Sequence, residues 1–387
     1  MSRLRTLSTR SLLAAIAGVV ALVVGGTAIA VAAGGGGPTP PPKALDQAIQ
    51  DAVSANPADG VSAQVTFTNK LFPSGALTGQ AGSALMSGAS GRLWMTNDGK
   101  GRIELQSDAG DVQIVWSGQT ISVYDASSNT VYRATLPTDA SSGSTTDTGT
   151  PPTLADIDNL LAKIGLHWTL SGAQPTDVAG QPAYSVTASP SHDGGLLGSL
   201  ALAWDAAQGM PLQASVYAQG SDAPVLDFTV TNITYGPVAS SDVDVAPPAD
   251  AKVVDINVPA QTDTGTSTPP VMGLDAVRAA AGFTVVAPDT LVGLPRQDVR
   301  LVGGDTAIVL YGQGLGGIVL VERKSDTTSS GQNPLSALPT VSLDGLTAHE
   351  LSTQLGTVLA WDAGGTSFVL AGSLPVSAAE AAARAVK

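Results

Sequence analysis

Hydrophobic and polar residues alternate with a period of two over residues 91–137, GRLWMTNDGKGRIELQSDAGDVQIVWSGQTISVYDASSNTVYRATLP. Ile103 and Leu105 stand against Arg102, Glu104 and Gln106, and Val112, Ile114 and Trp116 stand against Asp111 and Gln113. Turn-forming residues break the alternation at Asn97-Asp98-Gly99, Asp108-Ala109-Gly110, Ser117-Gly118 and Ser127-Ser128-Asn129. A period of two puts every second side chain on one side of a strand, so this stretch predicts an antiparallel meander with one apolar face. Residues 61–69 alternate in the same way through Val61, Ala63, Val65 and Phe67 and predict an earlier strand. A second strand series is expected at 166–171, 176–178, 182–188, 200–205, 211–218 and 225–235.

Two stretches change to helical spacing. In residues 43–56, Leu45, Ala48, Ile49, Ala52 and Val53 fall on one side of a helix that Pro57 stops. In residues 153–164, Leu154, Ile157, Leu160, Leu161 and Ile164 make the stripe, Thr153 or Asp156 caps the start, and Gly165 ends it. Residues 73–90 read as a Gly/Ser/Ala-rich loop, 138–152 as a low-complexity insertion, and 257–271 as a Thr/Pro/Gly linker. Beyond it, 272–281 reads as helical, 283–292 as extended, and 306–311, 318–323 and 358–361 as strands. Residues 346–353 and 367–371 are strand-like, and 377–386 form an Ala-rich helix. The expected division is a leader at 1–33, a Gly/Pro spacer at 34–42, a β-rich domain at 43–256, the linker, and a smaller α+β domain at 272–387.

Composition narrows the function. The net charge is −14 and no basic stripe follows residue 10, which argues against a nucleic-acid partner. The absence of cysteine removes disulfides, thiolate ligands and a lipid-modified N-terminal Cys together. Arg3, Arg5 and Arg10 precede a run over residues 11–33 interrupted only by Gly and Thr. At about 1.5 Å per residue that run spans the ~30 Å hydrocarbon core of a bilayer. It reads as an anchor in the cytoplasmic membrane with its basic flank inside. The small-x-small pairs Ala28/Ala30 and Ala30/Ala32 suit a cleaved signal peptide instead. Both readings export the rest of the chain. The Ala/Gly/Thr-rich, Lys-poor composition suggests a high-GC actinobacterial source.

Phrases in the second series resemble a known family. VAGQPAYSVTASP is similar to its strand-turn-strand leading into a Tyr, and LAWDAAQGMPLQASVY to its W-D-x-x-x-G-x-P-L hairpin. DFTVTNITYGPV followed by VDVAPPADAKVV resembles its closing strand and exit. With the meander, residues 43–256 resemble the LolA/LppX/RseB-like bacterial envelope proteins. The resemblance implies an α+β fold: a half-open antiparallel β-barrel that holds acyl chains, closed by a lid from helices 43–56 and 153–164. It implies a lipid or acyl chain as partner or, for an RseB-like sensor, the outer part of a membrane anti-sigma factor. A passive envelope scaffold with a filled core is the third alternative. Residues 272–387 look like a small module appended to such proteins, of unknown function. On alternating apolar positions, the implied lining is Leu93, Met95, Ile103, Leu105, Ile114, Trp116, Ile121, Val123, Leu202, Trp204, Phe228 and Val230.

Candidate chemistry is sparse. Gly312-Gln313-Gly314-Leu315-Gly316-Gly317 satisfies G-x-G-x-x-G, but Ile318-Val319-Leu320-Val321 follows as a strand. A dinucleotide site needs a helix N-terminus there, so the segment predicts a hairpin turn. His167, His192 and His349 form no zinc-ligand pair, and no G-x-S-x-G elbow is present. Asp242, Asp244 and Asp250 lack the glycine and closing Glu of a calcium loop. Trp94, Trp116, Trp168 and Trp204 suit a sheet core as readily as a ligand wall. No enzyme activity, cofactor or metal is expected.

Overall fold

The computed structural model describes residues 37–56, 58–71, 84–135, 153–256, 271–325, 335 and 338–386. The apolar run 11–33, the insertion 138–152, residues 257–270 of the linker and most of the expected loop at 73–90 lie outside the described residues.

Among the described residues, the first sheet has thirteen strands and is open, in the order β13-β6-β5-β4-β3-β2-β1-β12-β11-β10-β9-β7, with β8 also on β9. β1 (Gly60–Asn69) precedes the meander β2 (Ala89–Thr96), β3 (Gly101–Gln106), β4 (Val112–Ser117), β5 (Thr120–Asp125) and β6 (Thr130–Thr135). Each meander strand pairs antiparallel with the next, so the turns read from Asn97-Asp98-Gly99 onward sit where expected. The second series is β7 (Trp168–Leu170), β8 (Gln174–Val178), β9 (Gln181–Pro190), β10 (Leu197–Asp205), β11 (Pro211–Ala218) and β12 (Pro224–Tyr235). β1 joins the two series, with β2 on one side and β12 on the other. The fold is thus mostly sheet with a few helices and no closed barrel, an open antiparallel half-barrel.

The local chemistry explains the helices. Leu45–Ser54 and Leu154–Gly165 are both helical, and the second starts on a capping box. There the Thr153 hydroxyl accepts the Asp156 N–H at 3.3 Å, and the Asp156 carboxylate accepts the Thr153 N–H at 3.0 Å. Three features differ from expectation. Ala84–Ser87, inside the expected loop, is a short helix, and β2 starts at Ala89, also within that loop. The segment read as an exit holds another short helix, Ser240–Val243, and β13 (Lys252–Ile256). β13 runs parallel to β6, so the sheet is not purely antiparallel. Both faces of Lys252-Val253-Val254-Asp255-Ile256 carry apolar residues, which hides the alternation.

The second sheet contains, among the described residues, nine strands in the order β14-β16-β17-β18-β22-β21-β20-β19, with β15 beside β16. They are β14 (Val271–Met272), β15 (Thr290–Leu291), β16 (Leu294–Val302), β17 (Thr306–Tyr311), β18 (Ile318–Lys324), β19 (Thr340–Leu343), β20 (Leu346–Thr353), β21 (Gly356–Ala363) and β22 (Thr366–Gly372). Helices Leu274–Ala280 and Val376–Ala385 pack on it. β16 and β19 escape a sequence reading. In β16, Pro295 and the charges Arg296, Asp298 and Arg300 mask a strand whose Val299 and Leu301 are buried. Of the expected extended run 283–292, only Thr290–Leu291 enters a strand, and the rest is irregular.

Loops tie the two sheets together. Gln354, in the β20–β21 turn, donates its Nε2–H to the Lys70 carbonyl at 2.7 Å, just after β1. The Leu196 N–H donates to Ser373 Oγ at 2.8 Å, and the Gly316 N–H to the Asp193 carbonyl at 3.3 Å. The Gly312–Gly317 segment thus turns β17 into antiparallel β18, as its sequence context requires. A Cβ on Gly316 would run into the Asp193 carboxylate, so that glycine permits close approach of the two sheets.

Candidate functional site

Residues paired across antiparallel strands point to the same side of a sheet, so pairing traces one face residue by residue. One row runs Ala63, Leu93, Ile103, Ile114, Val123, Tyr132 and Val254. The next runs Val61, Met95, Gly101, Trp116, Ile121, Ala134 and Ile256. A third joins Phe67, Phe228, Ala214, Leu202 and Val186, with Trp204 beside Tyr184. Val65 pairs with Val230, and Leu105 lies across Gly91 from Val65. All twelve residues expected to line a cavity therefore share one face. The alternation had fixed their parity on every strand.

The twelve differ in what covers them. Leu93, Ile103, Leu105, Ile114, Trp116, Phe228 and Val230 belong to one buried cluster, closed in part by Ala84 and Leu85 of the short helix. Met95, Ile121 and Val123 pack against that cluster and are half-buried. Leu202 and Trp204 belong to a second cluster with Tyr184, Val186 and Ala48. Ala48 comes from helix Leu45–Ser54, and helix Leu154–Gly165 packs on that helix and on β7. The expected lid helices thus lie at the β7–β10 end. Over Ile103 and Leu105 the face is closed.

Burial falls along the two meander rows. Ile114 is 2% exposed and Trp116 6%, whereas Val123, Tyr132 and Val254, and Ile121, Ala134 and Ile256, are all half-buried. The apolar face is shut over β1–β4 apart from half-buried Met95 on β2, and is partly open over β5, β6 and β13. Tyr132, Ala134, Val254 and Ile256 were not singled out from the sequence. The parity of the neighbouring strands was the signal that could have found the first two.

Two polar atoms interrupt this face. The indole N–H groups of Trp116 and Trp204 are buried and meet no acceptor among the described residues. The Trp116 ring fills the place a Cβ would occupy on Gly101, its partner on β3. At the chain's entry, the Tyr184 hydroxyl donates to the Pro41 carbonyl at 2.6 Å, and the Lys43 ammonium stands 5.9 Å from the Tyr184 ring centre.

The W-D hairpin has a structural use. Asp205 is 2% exposed. Its Oδ1 accepts the Ala207 and Gln208 N–H groups at 2.7 and 2.9 Å, and its Oδ2 accepts the Tyr235 hydroxyl at 2.7 Å. Burial first, then this bond and the carboxylate's charge, hold the Tyr235 hydroxyl far above its ordinary pKa, so it remains a donor. On the opposite face, Arg102 stacks 5.0 Å over Trp94 and donates to the Asp242 carbonyl at 3.1 Å.

The other candidate residues are dispersed. Asp244 pairs with Lys100 at 3.6 Å, Asp250 accepts from Asn129 at 3.1 Å, and Asp242 serves through its backbone. His349 meets the Leu338 carbonyl at 3.1 Å, His167 follows a helix, and His192 lies in the β9–β10 loop. Among the described residues, no group of three or more His, Cys, Asp or Glu could hold a metal ion. No described helix is long and apolar enough to cross a membrane.

No family model and no curated protein matches the chain. Among solved structures, it is similar to the Pseudomonas aeruginosa MucA/MucB complex, at 15% identity and a TM-score of 0.43, over 88% of this chain and 96% of that one. It is similar to a domain described as belonging to outer membrane lipoprotein sorting, from Vibrio parahaemolyticus, at 11% identity and a TM-score of 0.24, over 52% and 96%. A LolA superfamily protein from Nitrosomonas europaea is similar at 8% identity and a TM-score of 0.19, over 85% and 91%.

Proposed function

We propose that this chain is an exported, non-catalytic envelope protein that holds lipid acyl chains against the apolar face of its first sheet. The observation that carries the reading is the falling burial along the two meander rows. A face filled as an ordinary core would close over β5 and β6 as it does over β3. Here it ends in a half-open apolar strip, Val123-Tyr132-Val254 beside Ile121-Ala134-Ile256. A fully buried acyl methylene contributes about 0.8 kcal/mol and one lying on such a strip contributes in proportion to the area it covers, so affinity needs no charged contact. The acceptor-less indole N–H of Trp116, which pairs across β4 and β5 with Ile121, suits an ester carbonyl of such a lipid, since a buried unpaired donor costs ~1–3 kcal/mol. The basic-flanked run 11–33 supports export and a place beside the cytoplasmic membrane.

The test is lipid extraction and mass spectrometry of the full chain purified from a bacterial envelope, beside Val123→Glu and Ile121→Glu. Acyl lipid is expected with the wild type and a severalfold loss in both variants, with unchanged circular dichroism. A wild type free of acyl lipid, or folded variants that carry as much as the wild type, would overturn the reading.

A further inference from the structure

Residues 282–289 form an irregular strap against the second sheet, and its own Val285 and Ala287 are buried in that sheet's core. Among the described residues, side chains do most of the fastening. The Val286 N–H donates to Glu322 Oε2 at 2.8 Å, Arg278 Nε–H donates to the Val285 carbonyl at 3.4 Å, and Arg296 donates to the Ala287 carbonyl. Arg296 also pairs with Asp289 at 2.8 Å, at the strap's end.

Glu322 is the unusual member of this set. It sits on β18 between Ala307 and Phe368 and is 0% exposed. Its Oε1 is buried without a partner among the described residues, and so is the hydroxyl of Tyr311 on β17. An ionised carboxylate with one oxygen unpaired in an apolar core is costly, and a neutral one much less so. We propose that Glu322 makes the strap a pH-controlled latch, held shut when its carboxyl is protonated and loosened when the carboxyl ionises and draws in water.

The surroundings agree. The charged group that acts on Glu322 is Arg278 from helix Leu274–Ala280; Tyr311 from β17 feels the Glu322 charge together with those of Arg296 from β16 and Asp289 of the strap, whereas β22 presents Phe368. Glu380 and Arg384 of the last helix pair with each other, and Glu380 acts on Glu350 instead. Burial, the largest cause, lifts the Glu322 carboxyl from its ordinary 4.5 to about 7, against smaller opposing effects of the Val286 N–H and Arg278. With the strap open, the hydrated carboxyl returns to its ordinary range. Stability of the closed strap is therefore full below about pH 4.5, falls as pH rises toward 7, and levels off above it.

Hydrogen exchange on the full chain tests this, corrected for intrinsic rates and read at Val286 and its strap neighbours against Leu320 and Leu370 in the sheet. The opening constant of the strap should rise about fortyfold between roughly pH 5 and 7 and flatten within about one pH unit above that, while the sheet amides do not follow. Glu322→Gln keeps an acceptor for the Val286 N–H without the charge and should abolish the rise. Arg278 is exposed, and Arg278→Gln should move the plateau to higher pH over a raised baseline. A flat wild-type profile, a Glu322→Gln profile that still rises, or sheet amides that open together with the strap would overturn the latch. If Glu322→Gln fails to fold, an Arg278→Gln plateau unmoved from wild type overturns it.

Discussion

Tyr235 and Asp205 show how one hydrogen bond can hold the far ends of an element series together. Tyr235 closes β12, and Asp205 closes β10 and caps the turn after it. Tyr235→Phe keeps the ring and strips the Asp205 carboxylate of one of its three donors inside a buried setting. Loss of a bond to a charged, buried acceptor costs ~1.5–3 kcal/mol. Urea unfolding should show a drop of that size, with little change in its denaturant dependence. A change within error would mean that water replaces the hydroxyl at no cost. The W-D part of this hairpin was legible in the sequence as a pattern. Its reason was not, because the partner lies thirty residues further on.

At the scale of elements, helix Leu154–Gly165 rests on its cap more than on its packing. Only Ile157 among its residues is buried, while Leu154 and Leu160 stay exposed. A helix of this length is marginal in isolation, so the reciprocal bonds of Thr153 and Asp156 matter. Thr153→Ala should cost about 1 kcal/mol and raise amide exchange over this helix before it does so in β9. Equal protection with and without the hydroxyl would show that tertiary contacts fix the helix. What the sequence made legible follows the same logic. The meander strands showed clear turns and strict alternation, and the face assigned to Ile103, Ile114, Trp116 and Leu202 is the one the pairing traces. Elements without a period were lost: Ala84–Ser87 is one turn long, and Val253-Val254 put an apolar residue on each side of β13. Charges at Arg296, Asp298 and Arg300 disguised β16. Coverage of the face was not legible at all, because it depends on which distant segments come to rest over it.

For the whole molecule, the joint between the sheets is narrow and rests on backbone approach. Gly316→Val would place a branched side chain against Asp193, the partner of the Gly316 N–H. Both sheets have their own buried cluster and should stay folded. The expected result is a calorimetric trace that divides from one transition into two, with far-ultraviolet circular dichroism unchanged. One transition in the variant, at the wild-type temperature, would show that other contacts couple the sheets. The position of β1 has a further consequence, in time rather than in space. β2–β6 and β9–β12 are runs of neighbouring hairpins, each of which can zip from its own turn. Among the described residues the two runs are joined by the β1–β12 pairing, from Val61 opposite Tyr235 to Asn69 opposite Leu226, and that closure spans nearly half the chain. Ordering so long a loop before any contact rewards it makes this pairing slow. Until it forms, β12 presents an unpaired edge and the apolar face exists as two separate halves. An emerging chain is therefore most prone to aggregate after its hairpins have formed and before β1 has found β12.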